Sequence, residues 1–393
     1  MMKIFEIKKL IYLAVILLVF SACAGDDSDS STTEINLSRT GTLSLVLTDA
    51  STEDYKAVYI TIKEVQVHSG NEENEGWVVA ATPDATYNLL KLVNGIIKQL
   101  GIRELEAGHY TQLRMIIGNT ADDGTNINGE SHPFANYIID QSDACKELKI
   151  PSGYQTGVKI VHGFDIAENQ LTELILDFDA STSVVKAGNS GQWILKPTIK
   201  VIDRLVSASI SGIISDADTN PLEGVMVSAQ VYDSNAEDIQ YQIIGHGRGI
   251  SEADGYYFMY LWPGTYNIVL YKEGHRTECR HIEVESGISS DQNFTVETTE
   301  TGTIEGEVTI EDADENQTAF LSFRTNALCE GYAEEPIEII SKSIAEGGSF
   351  SVQLPPGTYR LVASTEGRAS RTYDNIEVTS STITTRDVIF ETQ

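Results

Sequence analysis

Residues 254–270 read DGYYFMYLWPGTYNIVL, and residues 347–363 read GGSFSVQLPPGTYRLVA. The two align without a gap and share the turn PGTY. Before the turn, inward and outward positions alternate with period two, as in a strand that buries one face. Proline ends the incoming strand because it cannot donate to a ladder. Gly264 or Gly357 then takes a backbone shape that other residues resist. Tyr266 or Tyr359 restarts a strand and can bury its ring while its hydroxyl finds a partner. A looser version, LEAGHYTQLRM, stands at 105–115. A chain that repeats this hairpin is committed to antiparallel sheets that need a second sheet to cover them.

The similarity extends outward from the turn. Residues 207–298 and 301–392 form two units of about the length of a small sandwich, each with roughly seven strand candidates. Earlier runs alternate as well: TLSLVLTD with Leu43, Leu45 and Leu47; AVYITIKEVQV with Val58, Ile60 and Ile62; and LTELILDFD with Leu174, Leu176 and Phe178. Only LLKLVNGIIKQLG, 89–101, suggests a short helix, broken at Asn94-Gly95. The expected fold is mainly β: three consecutive β-sandwich domains at 40–205, 206–299 and 300–393. The polar joint VETTETGTIEG, 296–306, suggests that the last two are separable.

The two copies of the turn differ on one face. In SFSVQLPPG, Phe350, Val352 and Leu354 are the apolar set that should face the core. Transferred to the earlier copy, this register puts Tyr257, Met259 and Leu261 inside and leaves Tyr256, Phe258, Tyr260 and Trp262 outside. Four rings in a row run about 20 Å along a strand. Together they exceed the few hundred Å² that a monomer usually exposes as one patch. A neighbouring domain or long loop is the first candidate to cover them. A stacked sugar chain or a protein partner comes next, and a one-residue register slip would dissolve the stripe.

The N-terminus is read apart from the fold. MMKIFEIKK supplies Lys3, Lys8 and Lys9, and LIYLAVILLVF, 10–20, is too short to span a bilayer comfortably. Ser21 and Ala22 before Cys23 resemble the lipobox of bacterial lipoproteins. That resemblance implies a signal peptide at 1–22, a lipidated Cys23, a membrane attachment through that lipid and an outer-membrane location, on the periplasmic or the exposed face. Residues 23–39 read as an acidic, serine-rich tether. A formal net charge of -31 argues against nucleic acid, whose phosphates need clustered Lys and Arg. Cys145, Cys279 and Cys329 fall in three different candidate domains and are read as lone buried cysteines.

Residues 207–298, with SGIISDADTNPLEGVMV and DGYYFMYLWPGTYNIVLYKEGH, resemble the carboxypeptidase regulatory-like domain, a seven-strand sandwich related to transthyretin. Residues 301–392 resemble a divergent copy that lacks NPLEGV. Residues 40–204, through GTLSLVLTDA, YKAVYITIKEVQVH, PSGYQTGVKI and LILDFDASTSVVKAG, resemble the bacterial family called domain of unknown function 4382. That resemblance implies an envelope lipoprotein and no known reaction. Against its pattern, residues 119–147 look like an enlarged loop.

Candidate chemistry is sparse. His275 and Glu278 have the H-x-x-E spacing of zinc carboxypeptidases, but the only later histidine is His281 and no catalytic domain follows, so they read as exposed strand residues. Asp177 and Asp179 share a strand face and make a weak calcium candidate; solvent-facing charges are the plainer reading. The acidic stretches 120–129 and 215–224 read as turns. No nucleophile elbow, P-loop or dinucleotide fingerprint is present in the sequence. No cofactor and no catalysis are expected. The expectation is a structural or ligand-binding module of the envelope, with a carbohydrate-binding lipoprotein, or an accessory subunit of an envelope enzyme or transport complex, as alternatives.

Overall fold

The structure, a computed structural model, describes residues 39–50, 52, 54–70, 76–150, 157–186, 192–313 and 317–392. It is nearly all β and built as several separate sheets. The signal-peptide and Cys23 readings, and all of the tether reading but residue 39, lie outside the described residues.

The first sandwich pairs a four-stranded sheet with a nine-stranded one. In the smaller sheet the order is Ile199–Asp203, Leu171–Asp179, Thr40–Ala50, Lys98–Glu106, and the two central strands run parallel. Leu43, Leu45 and Leu47 alternate into the core with Leu174, Leu176 and Phe178, opposite Val58, Ile60 and Ile62 of the larger sheet. The enlarged loop, 119–147, contributes the strand Tyr137–Ile139 and leads into Cys145–Lys149, so it widens the larger sheet.

The second and third sandwiches share one topology, and each has eight described strands. In each, the sheet carrying the PGTY-side strand has the opening strand at its middle: Tyr256–Leu261 pairs Ala208–Ser215, and Ser349–Leu354 pairs Gly302–Ile310. The closing segment pairs the opening strand twice, as Ser289–Asp291 and Phe294–Thr295, or as Ile383–Thr385 and Val388–Phe390. This split turns the seven expected strands into eight. At the split the chain crosses close over an equivalent glycine. A Cβ on Gly212 would stand 2.1 Å from Gln292 O, and one on Gly306 2.1 Å from Arg386 O.

The tyrosines of the shared turn close it in the same way. Tyr266 donates its hydroxyl proton to Trp262 O at 2.8 Å, and Tyr359 to Pro355 O at 2.7 Å. Tyr110, in the looser version, donates to Glu106 O at 3.0 Å. In all three the acceptor lies four residues back, so a buried ring and a fixed turn come from one side chain.

Three sequence expectations need correction. Residues 89–101 form no α-helix: a single 3-10 turn, Leu89–Lys91, is followed by the strand Lys98–Glu106. Asn94 and Gly95 both take positive φ, 53° and 81°, which a helix cannot pass through. Cys279 and Cys329 are not lone thiols but a disulfide, with Cα atoms 4.6 Å apart, joining the second sandwich to the third. Their sequence separation of 50 hid the pairing, because it crosses a domain boundary. Asp177 and Asp179 do not face solvent; they are buried at 9% and 7% exposure.

Candidate functional site

The outer face of the strand Tyr256–Leu261 meets the outer face of the first sandwich's smaller sheet. Tyr257, Met259 and Leu261 are in the second core, and Tyr256, Phe258 and Tyr260 alternate with them, half-buried. Val46, Ile175 and Ile202 sit on adjacent strands of the first sandwich, and Tyr260 and Trp262 pack against them. Phe258 meets Tyr260 edge-on at 4.8 Å and lies so close to Gly95 that a Cβ there would come within 2.8 Å of its ring. Trp262 lies 6.2 Å from the His162 ring. Tyr256, at the far end, pairs with exposed Ile213.

The Asn94-Gly95 turn fastens this contact. Asn94 Nδ2 donates to Ile250 O at 3.1 Å and to Glu252 Oε1 at 2.9 Å, and its Oδ1 accepts from Phe258 N at 3.3 Å. In the third sandwich the equivalent positions Ser349, Ser351 and Gln353 are exposed. The copy that carries rings has a neighbouring sheet packed against Tyr260 and Trp262, while the equivalent face of the other copy is exposed.

Buried charge lines the same contact. Asp177 lies on the covered face, opposite Lys200 in the next strand. Burial first, with Asp179 adding, raises its pKa to about 6 against the pull of Lys200. Asp49 is also pushed up by burial; its Oδ1 accepts from Ala180 N at 3.0 Å, while its buried Oδ2 accepts no hydrogen bond from the described residues. Asp179 caps the short helix Ala180–Ser183, accepting from Thr182 N at 3.2 Å. His162 and His246 are both held below the usual imidazole range by burial.

Among the described residues no three His, Cys, Asp or Glu side chains are placed to hold a metal ion. His275 is bonded through Nδ1 to Glu273 O at 2.9 Å, and Glu278 is half-buried with its pKa raised by burial. His281 stacks on Tyr332 at 3.9 Å and bonds Asn267 Oδ1, so it serves the joint between the second and third sandwiches.

Sequence reasoning missed the residue at which all three sandwiches meet. Arg248 of the strand Ile243–Ile250 donates from Nη1 to Ser181 Oγ of the first sandwich at 2.9 Å. From Nη2 it donates to Ser341 Oγ of the third at 3.1 Å and lies 3.6 Å from Glu338 Oε1. The signal was the alternation GHGRG, 245–249. Gly247 and Gly249 face inward over Tyr256–Leu261, where a Cβ would stand 2.8 Å from Leu261 and 3.1 Å from Phe258 O. His246 and Arg248 are left to point outward.

The second and third sandwiches share buried surface as well as the disulfide. Val269 and Tyr271 join the third core, and Tyr271 donates to Gln353 O at 2.8 Å. Gln230 exchanges two hydrogen bonds with the Glu338 backbone, at 2.9 and 2.6 Å. Arg324, 4% exposed, donates to Ile239 O and Gln240 O. The first and third touch through Val185, Ile194 and Ala345, and through Lys196 Nζ donating to Thr318 Oγ1 at 2.9 Å. Between the three lies a cleft of about 750 Å³, lined by Tyr55, Trp193 and Arg248 among others.

Residues 40–197 match the family described as Domain of unknown function (DUF4382), so the first sandwich is a domain of that family. Among solved structures the chain is similar to the Bacillus anthracis TIE protein, at 14% identity over 90% of this chain and 51% of that one, with a TM-score of 0.20. It is similar to a Streptococcal ancillary pilin at 12% identity, over 90% of this chain and all of that one, also at 0.20. A 3-chlorocatechol 1,2-dioxygenase from Rhodococcus opacus 1CP is similar over 24% of this chain and 60% of its own, at 10% identity and a TM-score of 0.20. The chain thus spans about half the length of the TIE protein, and TM-scores this low carry no argument about shared architecture or function. No curated protein matches.

Proposed function

We propose that this chain is a non-catalytic lipoprotein of the bacterial envelope, held by a lipid on Cys23, whose three sandwiches act as one rigid module for structure or ligand display. The observation that carries the reading is the bonding at the junction. Arg248 ties all three sandwiches together, a disulfide ties two, and a ring-lined face ties the first to the second. Of the buried charged side chains, Arg324 bridges the second and third sandwiches and Asp179 caps a helix. A disulfide between domains also suits export to an oxidising compartment. The repeated topology of the second and third sandwiches supports reading both as carboxypeptidase regulatory-like modules.

Fractionation of cells carrying Cys23→Ser tests the anchor. The variant should move from the membrane to the soluble fraction, since the lipid supplies the attachment. A variant that stays membrane-bound as tightly as wild type contradicts it.

A further inference from the structure

The cleft between the three sandwiches has a chemistry unlike the rest of the surface. Over the whole chain acids outnumber bases by 58 to 27. The described residues that line the cleft include four bases, Lys186, Arg248, Lys272 and Lys342, and two acids, Asp54 and Glu273. Of these, Lys342 stands 3.8 Å from Asp54, and Arg248 is held by Ser181, Ser341 and Glu338. Lys186 lies 5.6 Å from the Trp193 ring, whose edge-on neighbour is Tyr55 at 5.7 Å. A local excess of basic side chains in a strongly negative protein attracts an anion.

The remaining wall narrows the class of anion. Ser181, Ser341 and Ser343 bring hydroxyls, and Gly347 and Gly348 bring bare backbone. A lining that combines aromatic rings, hydroxyls and ammonium groups suits a sugar ring that carries carboxylates. The volume falls within the range of small-ligand sites, roughly 300–1,000 Å³. We propose that this cleft binds an acidic oligosaccharide of the uronate class, with Lys186 and Lys272 pairing its carboxylates and the Tyr55–Trp193 wall supporting a sugar ring. The inference rests on the rigid-module reading, because each sandwich supplies part of the wall.

The test is calorimetric titration of the full chain with oligogalacturonate, with a neutral cello-oligosaccharide and a poly-glutamate peptide as comparisons. Oligogalacturonate should bind, and the double substitution Lys186→Gln with Lys272→Gln should weaken it at least tenfold. Trp193→Ala should weaken it further while the neutral sugar and the peptide stay weak. Absence of oligogalacturonate binding, equal binding of the neutral sugar, equal binding of poly-glutamate, or a double variant that binds like wild type each overturns the proposal. The thermal transition of the same samples reports on the module separately. A variant that melts like wild type but fails to bind isolates the site, while a wild type that melts in separate steps and binds nothing points to failure of the module itself.

Discussion

Arg248 of the second sandwich and Glu338 of the third lie 3.6 Å apart, with side chains only 13% and 14% exposed. Glu338 also accepts a hydrogen bond from Ser322 Oγ at 2.5 Å, so the carboxylate is held from both sides. Removing one partner of a largely buried pair leaves the other with less compensation, which costs more than the pair was worth. Arg248→Ala should lower stability by about 3 kcal/mol. Denaturant unfolding of the full chain measures it, and a loss comparable to that of an exposed arginine would count against the junction.

The disulfide should matter to the same block. Closing a loop of 50 residues restricts the unfolded chain by about 4 kcal/mol in the chain-entropy view. Cys279→Ser with Cys329→Ser should therefore lower the melting temperature and speed proteolysis near the joint at 296–306. Reducing agent should reproduce the shift in wild type and leave the double variant unchanged. Cys145, the one free thiol among the described cysteines, is outside this effect.

The ring-lined face makes a comparison within one molecule. Tyr260→Ala with Trp262→Ala strips half-buried rings from Val46, Ile175 and Ile202, and should cost about 3 kcal/mol. Ser351→Ala with Gln353→Ala changes the equivalent exposed face of the third sandwich and should stay within about 0.5 kcal/mol. Equal effects of the two pairs, read by chemical denaturation, would remove the reason offered for the aromatic copy.

A pH dependence follows from Asp177. Its folded pKa, about 6, lies above its ordinary 3.8, so between these values the folded state holds more protons than the unfolded one. Its contribution is therefore full below pH 3.8 and is lost as pH rises through 6. His162 and His246 act in the opposite sense, since their depressed values disfavour the folded state as pH falls below about 6.5. Asp177→Asn should raise stability at pH 8 by up to about 3 kcal/mol and change little at pH 4. Unfolding curves at the two pH values check the difference, and an equal effect at both would refute the assignment.

Alternation made the sandwiches legible, because a strand with one buried face writes its burial into every second residue. Tyr257, Met259 and Leu261 could be assigned to the core before any coordinates, and with them the outward set. What period two cannot show is which surface lies opposite an outward face, so Val46, Ile175 and Ile202 were not connected to Tyr260 and Trp262. The same blindness to long-range pairing hid the disulfide and made Asp177 and Asp179 look like surface charges. Asn94-Gly95 was seen as a break, correctly, but its use as a docking turn depends on residues more than 150 positions away. Arg248 had a local trace in the glycines around it, Gly247 and Gly249, which face inward and leave it pointing outward.

Differential scanning calorimetry of the full chain tests the rigid block most directly. Shared cores, the Arg248 junction and the interdomain disulfide predict one transition, with calorimetric and van't Hoff enthalpies in agreement. Two or three resolved transitions, each with its own enthalpy, would contradict it.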